Sequence, residues 1–216
     1  MIKLKELLTL NEMKYSCDVK PKHQKKMDMD TKLMSEVKIA TYPFPENASR
    51  ESLNELQWLL SFNKGFIDRE FVERGDDIKK VFQEYCEEHN LCYEKDYYEK
   101  ILKESSKTIL TLKYHYNRPR PYQLAEYYGI PDFKIHKLDS ANTPSYPSGH
   151  TTQGHLMAEL LGKKYPNHYN KLKEVANFIS KSRLMARAHY ISDCVFGQKV
   201  AKYIFNSILP EENPTK

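Results

Sequence analysis

Apolar residues recur along this chain at helical intervals, and no stretch alternates convincingly with a period of two. Leu53, Leu56, Leu59 and Leu60 make one face, opened by Ser52 with Glu55 three residues on, a capping-box pattern. Ile78, Val81, Phe82, Tyr85 and Cys86 make a second, beginning near Asp68 or Asp76. Asp96 with Glu99 reads as the next start. Ile101, Leu102, Ile109 and Leu112 then carry a long helix to about Tyr116, where Pro119 and Pro121 end it. A short helix fits residues 121–128, and a loop rich in turn formers follows over 129–147. His150 opens a helix with Leu156, Met157, Leu160 and Leu161 inward, broken at Pro166. Leu172, Val175, Ala176 and Ile179 predict a helix running into Arg183, and Ile191, Val195, Ile204 and Ile208 a last one. The pattern predicts an all-α fold, a single-domain bundle of six to eight helices over residues 43–210. Ahead of it, residues 1–42 read as an N-terminal segment. A short amphipathic helix within residues 1–17, through Leu4, Leu7 and Leu8, leads into a polar arm over 18–48 that carries Pro43 and Pro45 and is either extended and wrapped on the domain or partly loose.

Composition narrows the class. With 216 residues, 40% of them hydrophobic, the chain can pack one substantial core. No apolar run reaches membrane-spanning length. Met1 to Leu8 shows neither the uninterrupted apolar core nor the small-residue cleavage site of a secretory signal, so a soluble, cytoplasmic protein is expected. The net charge of +5 is mild, and basic residues are spread among acidic ones. Nothing resembles a basic stripe interleaved with aromatics, so nucleic acid is not indicated, whereas a small anionic substrate fits. Cys17, Cys86, Cys92 and Cys194 form no Cys-x-x-Cys and no zinc spacing to histidine. They read as free thiols in a reducing compartment, a Cys86–Cys92 disulfide being the alternative.

Three stretches carry candidate chemistry. In the first, Ser182-Arg183 is followed by His189 and then Asp193. On a helix, His189 and Asp193 stand one turn apart. The carboxylate can hold one ring nitrogen and leave the other free as nucleophile or base, while the Arg183 guanidinium suits an oxyanion. The second is Pro147-Ser148-Gly149-His150 before a predicted helix. Free N–H groups there attract an anion, Gly149 permits close approach, Ser148 adds a hydroxyl and His150 can exchange a proton. In the third, Lys113 stands near a helix end and Arg120-Pro121 lies just beyond it, so two cations can clamp a phosphate. Taken singly, each admits a plain structural reading: a surface His–Asp pair, an N-cap serine, a lysine balancing a helix dipole.

In this order, Lys-x6-Arg-Pro, Pro-Ser-Gly-His and Ser-Arg-x5-His-x3-Asp resemble the signature of the type 2 phosphatidic acid phosphatase superfamily. That superfamily also holds bacterial class A non-specific acid phosphatases and vanadium haloperoxidases. All ten named positions are present: Lys113, Arg120, Pro121, Pro147, Ser148, Gly149, His150, Arg183, His189 and Asp193. Arg118 and Ser145-Tyr146 make the flanks most similar to the class A enzymes, and the resemblance covers roughly residues 43–205. It implies a phosphomonoester hydrolase in which His189, oriented by Asp193, forms a phosphohistidine. His150 would serve as general acid and base, and Lys113, Arg120, Ser148, Gly149 and Arg183 would hold the phosphoryl oxygens. It implies no metal or other cofactor and a mildly acidic optimum, with vanadate binding as an inhibitor. The partner is then a small phosphorylated substrate, with homo-oligomerisation left open. The sequence departs from the class A pattern at Ser180 and Arg187, where glycines are usual. Arg187 is expected either to enlarge the positive field or to narrow the pocket mouth, and Arg118 to contact the substrate or to support the site. Two other readings use the same residues: a vanadium-dependent haloperoxidase with His189 as the axial ligand, and a non-catalytic phosphate-binding protein.

Overall fold

The structure, a computed structural model, describes residues 9–34 and 39–208. Among the described residues there are nine α-helices and no strand. They are α1 Pro21–Met27, α2 Arg50–Ser61, α3 Arg69–Arg74, α4 Ile78–Glu88, α5 Lys95–Tyr116, α6 Pro121–Tyr127, α7 Gly149–Lys164, α8 Tyr169–Met185 and α9 Ile191–Ile208. The hub is α7, which is buried on most sides, packs along α8 and α9 and also touches α4 and α5. Around it Phe82, Ile101, Leu156, Leu172, Ile179 and Phe196 form the main core. Burying each such side chain stabilises the fold by about 1.5–3 kcal/mol. A second cluster, with Leu10, Leu56, Leu59, Leu124 and Tyr190, ties α2 and α6 to the start of α9. No helix among the described residues is long and apolar enough to cross a membrane, and all four cysteines are free.

The helix starts depart from the sequence reading in instructive ways. The cap of α2 is Ser49, whose hydroxyl oxygen accepts the Ser52 N–H. Ser52 is already inside the helix and donates its own hydroxyl to the Glu46 carbonyl at 2.8 Å. Glu55 is therefore free of any capping box and reaches across to α9. The single helix expected from Asp68 or Asp76 is two. Asp68 caps α3, Asp77 caps α4, and Gly75 sits between them. Helix α5 starts at Lys95, so Asp96 lies in its first turn and caps nothing.

The arm expected to be extended contains α1, which begins at a proline, as first helical turns tolerate. Propensity does not hold this short polar helix; contacts with α5 do. His23 Nδ1 meets the Tyr114 hydroxyl at 2.7 Å, and Lys107 donates to the Met29 carbonyl at 2.8 Å. The buried Glu104 carboxylate accepts the Lys32 and Leu33 N–H groups. The amphipathic helix expected through Leu4, Leu7 and Leu8 lies outside the described residues; residues 9–11 are helical and Leu10 is buried.

Candidate active site

Four helix ends converge on one loop. Helix α5 delivers Lys113 in its last turn and stops at Asn117, whose φ of 48° is left-handed. Arg120 then becomes the N-cap of α6, its N–H held by Gln123 Oε1 at 2.9 Å. The loop before α7 returns beside this crossing, because the Ser145 N–H donates to the Arg118 carbonyl at 2.9 Å. Ser148 caps α7 with its hydroxyl and gives its N–H to the Asp193 carbonyl at 3.0 Å. That bond needs α9 close to the loop. A Cβ on Gly197 would lie 2.9 Å from the Ser148 carbonyl oxygen, so glycine is what admits the approach.

His189 and Asp193 do pair, by a different route from the one expected. His189 lies outside any helix, two residues before α9 begins. Asp193, in the first turn, folds its carboxylate back over the helix start. There Oδ2 takes the Tyr190 N–H at 3.0 Å and His189 Nδ1 at 3.0 Å, together with the Ser145 hydroxyl. An unpaired helix-start N–H thus orients the carboxylate, which orients the imidazole. The other oxygen of Asp193 is bound by Arg118 at 2.6 Å. Burial pushes the Asp193 pKa up, but Arg118, His189 and Ser145 outweigh it and hold the carboxyl below the usual range. Burial and the charge of Arg120 push the His189 pKa well below the ordinary histidine value, against the pull of Asp193, so the ring is neutral. Its Nε2 accepts from Arg120 Nη1 at 3.0 Å.

The three expected phosphate-binding cations are buried, and protein oxygens satisfy each of them. Lys113 Nζ donates to the Pro144 carbonyl at 2.6 Å. Arg120 donates to the Thr143 carbonyl at 2.8 Å and the Ala188 carbonyl at 2.6 Å. Arg183 bonds the Val72 carbonyl at 2.8 Å and Asp76. Burial and the nearby charge of Arg120 drive the Lys113 pKa well below the lysine range. Lys113, Gly149 and His150 line one cleft of about 310 Å³. Arg120 lines another of about 450 Å³, and the turn Asp139–Ala141 stands between the two. Ser148, Arg183, His189 and Asp193 line neither. Among the described residues no cluster of three His, Cys, Asp or Glu is placed to hold a metal ion.

Asp76 is the residue that sequence reasoning missed as part of the site. It had read as a possible helix start. Its Oδ1 lies 3.1 Å from His150 Nε2, is bonded by Arg183 and accepts the Ser140 hydroxyl at 2.8 Å. It gets there because Gly75 packs against Ser182, where a Cβ would come within 2.2 Å of the serine Oγ. Burial alone would raise the Asp76 pKa, but the hydrogen bond and charge of His150, with Ser140 and Arg183, hold it below the carboxylate range. His150 is pushed down by burial, with Asp76 opposing.

Contacts locate two further arginines. Arg118 supports the site: it is fully buried between Asp193, Glu55 at 3.0 Å and the face of Tyr190. Arg187 lines the cleft of about 450 Å³ together with Arg120, and not the one that holds His150. It holds a left-handed φ of 53°, which explains why a glycine suits this position, and is buried. Its guanidinium points away to the carbonyls of Lys134 at 2.8 Å and Gly65 at 3.0 Å. Across the fold, His168 Nδ1 meets the Tyr85 hydroxyl at 2.9 Å.

Residues 102–208 match the family model described as the PAP2 superfamily. The match takes in Lys113, Arg120, Ser148, Gly149, His150, Arg183, His189 and Asp193, and leaves out Glu55, Asp76 and the arm. No curated protein matches the chain in sequence.

Proposed function

We propose, from the PAP2 match over residues 102–208, that this chain hydrolyses phosphomonoesters through a phosphohistidine on His189, without a metal. The observation that carries the reading is the state of His189. One ring nitrogen is tied to a buried carboxylate at 3.0 Å, and the other faces a guanidinium at 3.0 Å. An anion drawn to that guanidinium comes beside the Nε2 lone pair of a neutral imidazole. Attack requires Arg120 to turn its N–H from Nε2 to a phosphoryl oxygen. Nε2 then bonds to phosphorus as the ester P–O bond breaks, and the departing oxygen takes the proton of His150. In the second half His150 removes a proton from water, the hydroxide attacks phosphorus, the N–P bond breaks and inorganic phosphate leaves. Lys113, Arg120 and Arg183 balance the charge spread over three equatorial oxygens, a role of placement and electrostatics.

The depressed pKa of His150 gives the expected pH dependence its sign. The acid form needed for leaving-group protonation fills as pH falls, while a neutral His189 remains available because its own pKa is held lower still. Rates therefore rise toward mildly acidic pH. The test is hydrolysis of an aryl phosphate from pH 4.5 to 8 by wild type and His189→Ala, with and without orthovanadate. Activity lost in the variant and inhibited by vanadate is the expected result. A folded wild type that is inactive on aryl phosphates but oxidises halide with vanadate and peroxide overturns the reading.

A further inference from the structure

The arm places cations at the mouth of the site. On α1, Lys22 and Lys26 stand one turn apart, and both line the cleft of about 310 Å³ that holds Lys113, Gly149 and His150. Lys26 also lines an adjoining cleft of about 1060 Å³, which shares His150 and adds Lys100 and Lys103 from α5. Among the described residues, none of Lys22, Lys26, Lys100 and Lys103 has a carboxylate within ion-pair distance. Five carboxylates line these clefts, Glu73, Asp76, Asp77, Glu99 and Asp139, and three of them are engaged. Asp76 pairs with Arg183 and His150, Glu99 with Lys79 at 3.1 Å, and Asp77 caps α4. The electrostatics agree: besides burial, the charges of Lys22, Lys20, Lys26 and Lys113 depress the pKa of the intervening His23. Positive charge thus exceeds negative in the smaller cleft, where Lys22, Lys26 and Lys113 face Asp139. The arm's position is not accidental, since Tyr114, Lys107 and Glu104 fix α1 and the following residues along α5.

We propose that α1 builds a second anion subsite beside the phosphate pocket, and that the substrate is a small molecule carrying two phosphate groups. This rests on the phosphatase reading above. One phosphate enters past Lys113, Gly149 and His150 and is hydrolysed where it reaches His189. The other is held outside by Lys22 and Lys26, with Lys103 in the adjoining cleft that Lys26 also lines. Two unpaired ammonium groups one helical turn apart suit a compact dianion, and exposed lysines lose little solvation in binding it.

The experiment compares phenyl phosphate with phenyl diphosphate and with propane-1,3-diyl bisphosphate, in wild type, K22Q/K26Q and K25Q. Lys25 lies on the same helix but lines neither cleft, so K25Q controls for charge alone. The readout is kcat/KM for each doubly phosphorylated substrate relative to phenyl phosphate, taken in wild type and divided by the same ratio in the variant, so that the different leaving groups cancel. The expected quotient for K22Q/K26Q is about tenfold, the combined effect of two exposed charge contacts at the upper end of their range. It should act through KM, and the quotient for K25Q should stay near one. Which of the two substrates shows it tells whether the phosphates are adjacent or separated. A quotient near one for K22Q/K26Q, or an equal quotient for K25Q, overturns the proposal. Titration with propane-1,3-bisphosphonate and propylphosphonate separates binding from catalysis. If no ester is turned over, yet the bisphosphonate binds about tenfold tighter and loses that advantage in K22Q/K26Q, the subsite stands and the hydrolase reading falls.

Discussion

Replacing Arg118 with methionine tests the electrostatic core of this site directly. The methionine stem can still cover the faces of Tyr190 and Phe44 on which the guanidinium lies, at 3.8 and 4.9 Å, so the change removes chiefly charge. In wild type the guanidinium is fully buried and bridges Asp193 at 2.6 Å and Glu55 at 3.0 Å. Without it, Asp193 keeps the Tyr190 N–H, the Ser145 hydroxyl and His189, but no cation on its other oxygen. Glu55 keeps the N–H and hydroxyl of Ser192 at 2.7 and 2.8 Å. Removing one partner of a buried ion pair leaves the other charge uncompensated and costs about 3–5 kcal/mol. That is a large part of the roughly 5–15 kcal/mol that holds a domain together. Glu55→Gln should cost less, because the Arg118–Asp193 pair survives it. The assay is urea unfolding followed by circular dichroism at several pH values, with the double variant closing a mutant cycle. The sign of the pH effect follows from Asp193. Its folded pKa is depressed, so its contribution is present above the ordinary carboxylate range and is lost as pH falls through the folded value. R118M raises that folded value, so the gap to wild type should be widest near neutrality and narrow in acid. A loss under about 1 kcal/mol at pH 7, or a gap that grows in acid, would refute the reasoning.

Three further outcomes follow from the same structure. Asp76→Asn takes away the charge that supports protonation of His150, so the optimum for phosphate ester hydrolysis should move to lower pH and kcat should fall at neutral pH. An unmoved profile in steady-state kinetics would remove Asp76 from the mechanism. Sulfate, which does not titrate near pH 7.5, should bind with net proton uptake, because Lys113 and His150 are depressed and an added anion favours their charged forms. Calorimetry in buffers of different ionisation enthalpy reads this, and proton release would contradict it. His155 is buried with its Nε2 unpaired, and burial with Lys173 and Lys202 lowers its pKa from 6.5 to about 4. The unfolded chain binds that proton first, so stability should drop by up to roughly 3 kcal/mol as pH falls from 6.5 to 4. In His155→Leu, denaturant titrations should show that slope reduced by up to one proton.

The sequence by itself determined the helices, because the 3.6-residue period is a local property that packing then selects. It also marked Lys113, Arg120, His150, Arg183 and His189 as candidates, all within the residues 102–208 that match the PAP2 superfamily model. Helix starts were less legible. Ser49 and Ser52 are both credible caps, and only the loop entering α2 decides between them. His189 and Asp193 could be paired from their spacing, yet the device that pairs them, a carboxylate folded onto a helix-start N–H, depends on where α9 begins. The rest belongs to tertiary structure alone. Asp76 reaches Arg183 from 107 residues away, and Glu55 reaches Ser192 from 137. Nothing near either residue hints at such a partner, since a carboxylate on a helix or at its start is an ordinary surface residue until packing buries it against a cation. Arg118 and Arg187 look alike in sequence, and burial sends one to two carboxylates and the other to a row of carbonyls. The arm reads as polar and extended because its own periodicity is weak. It becomes a helix at the mouth of the site because α5 offers a hydroxyl, an ammonium and a buried carboxylate to groups that would otherwise face water.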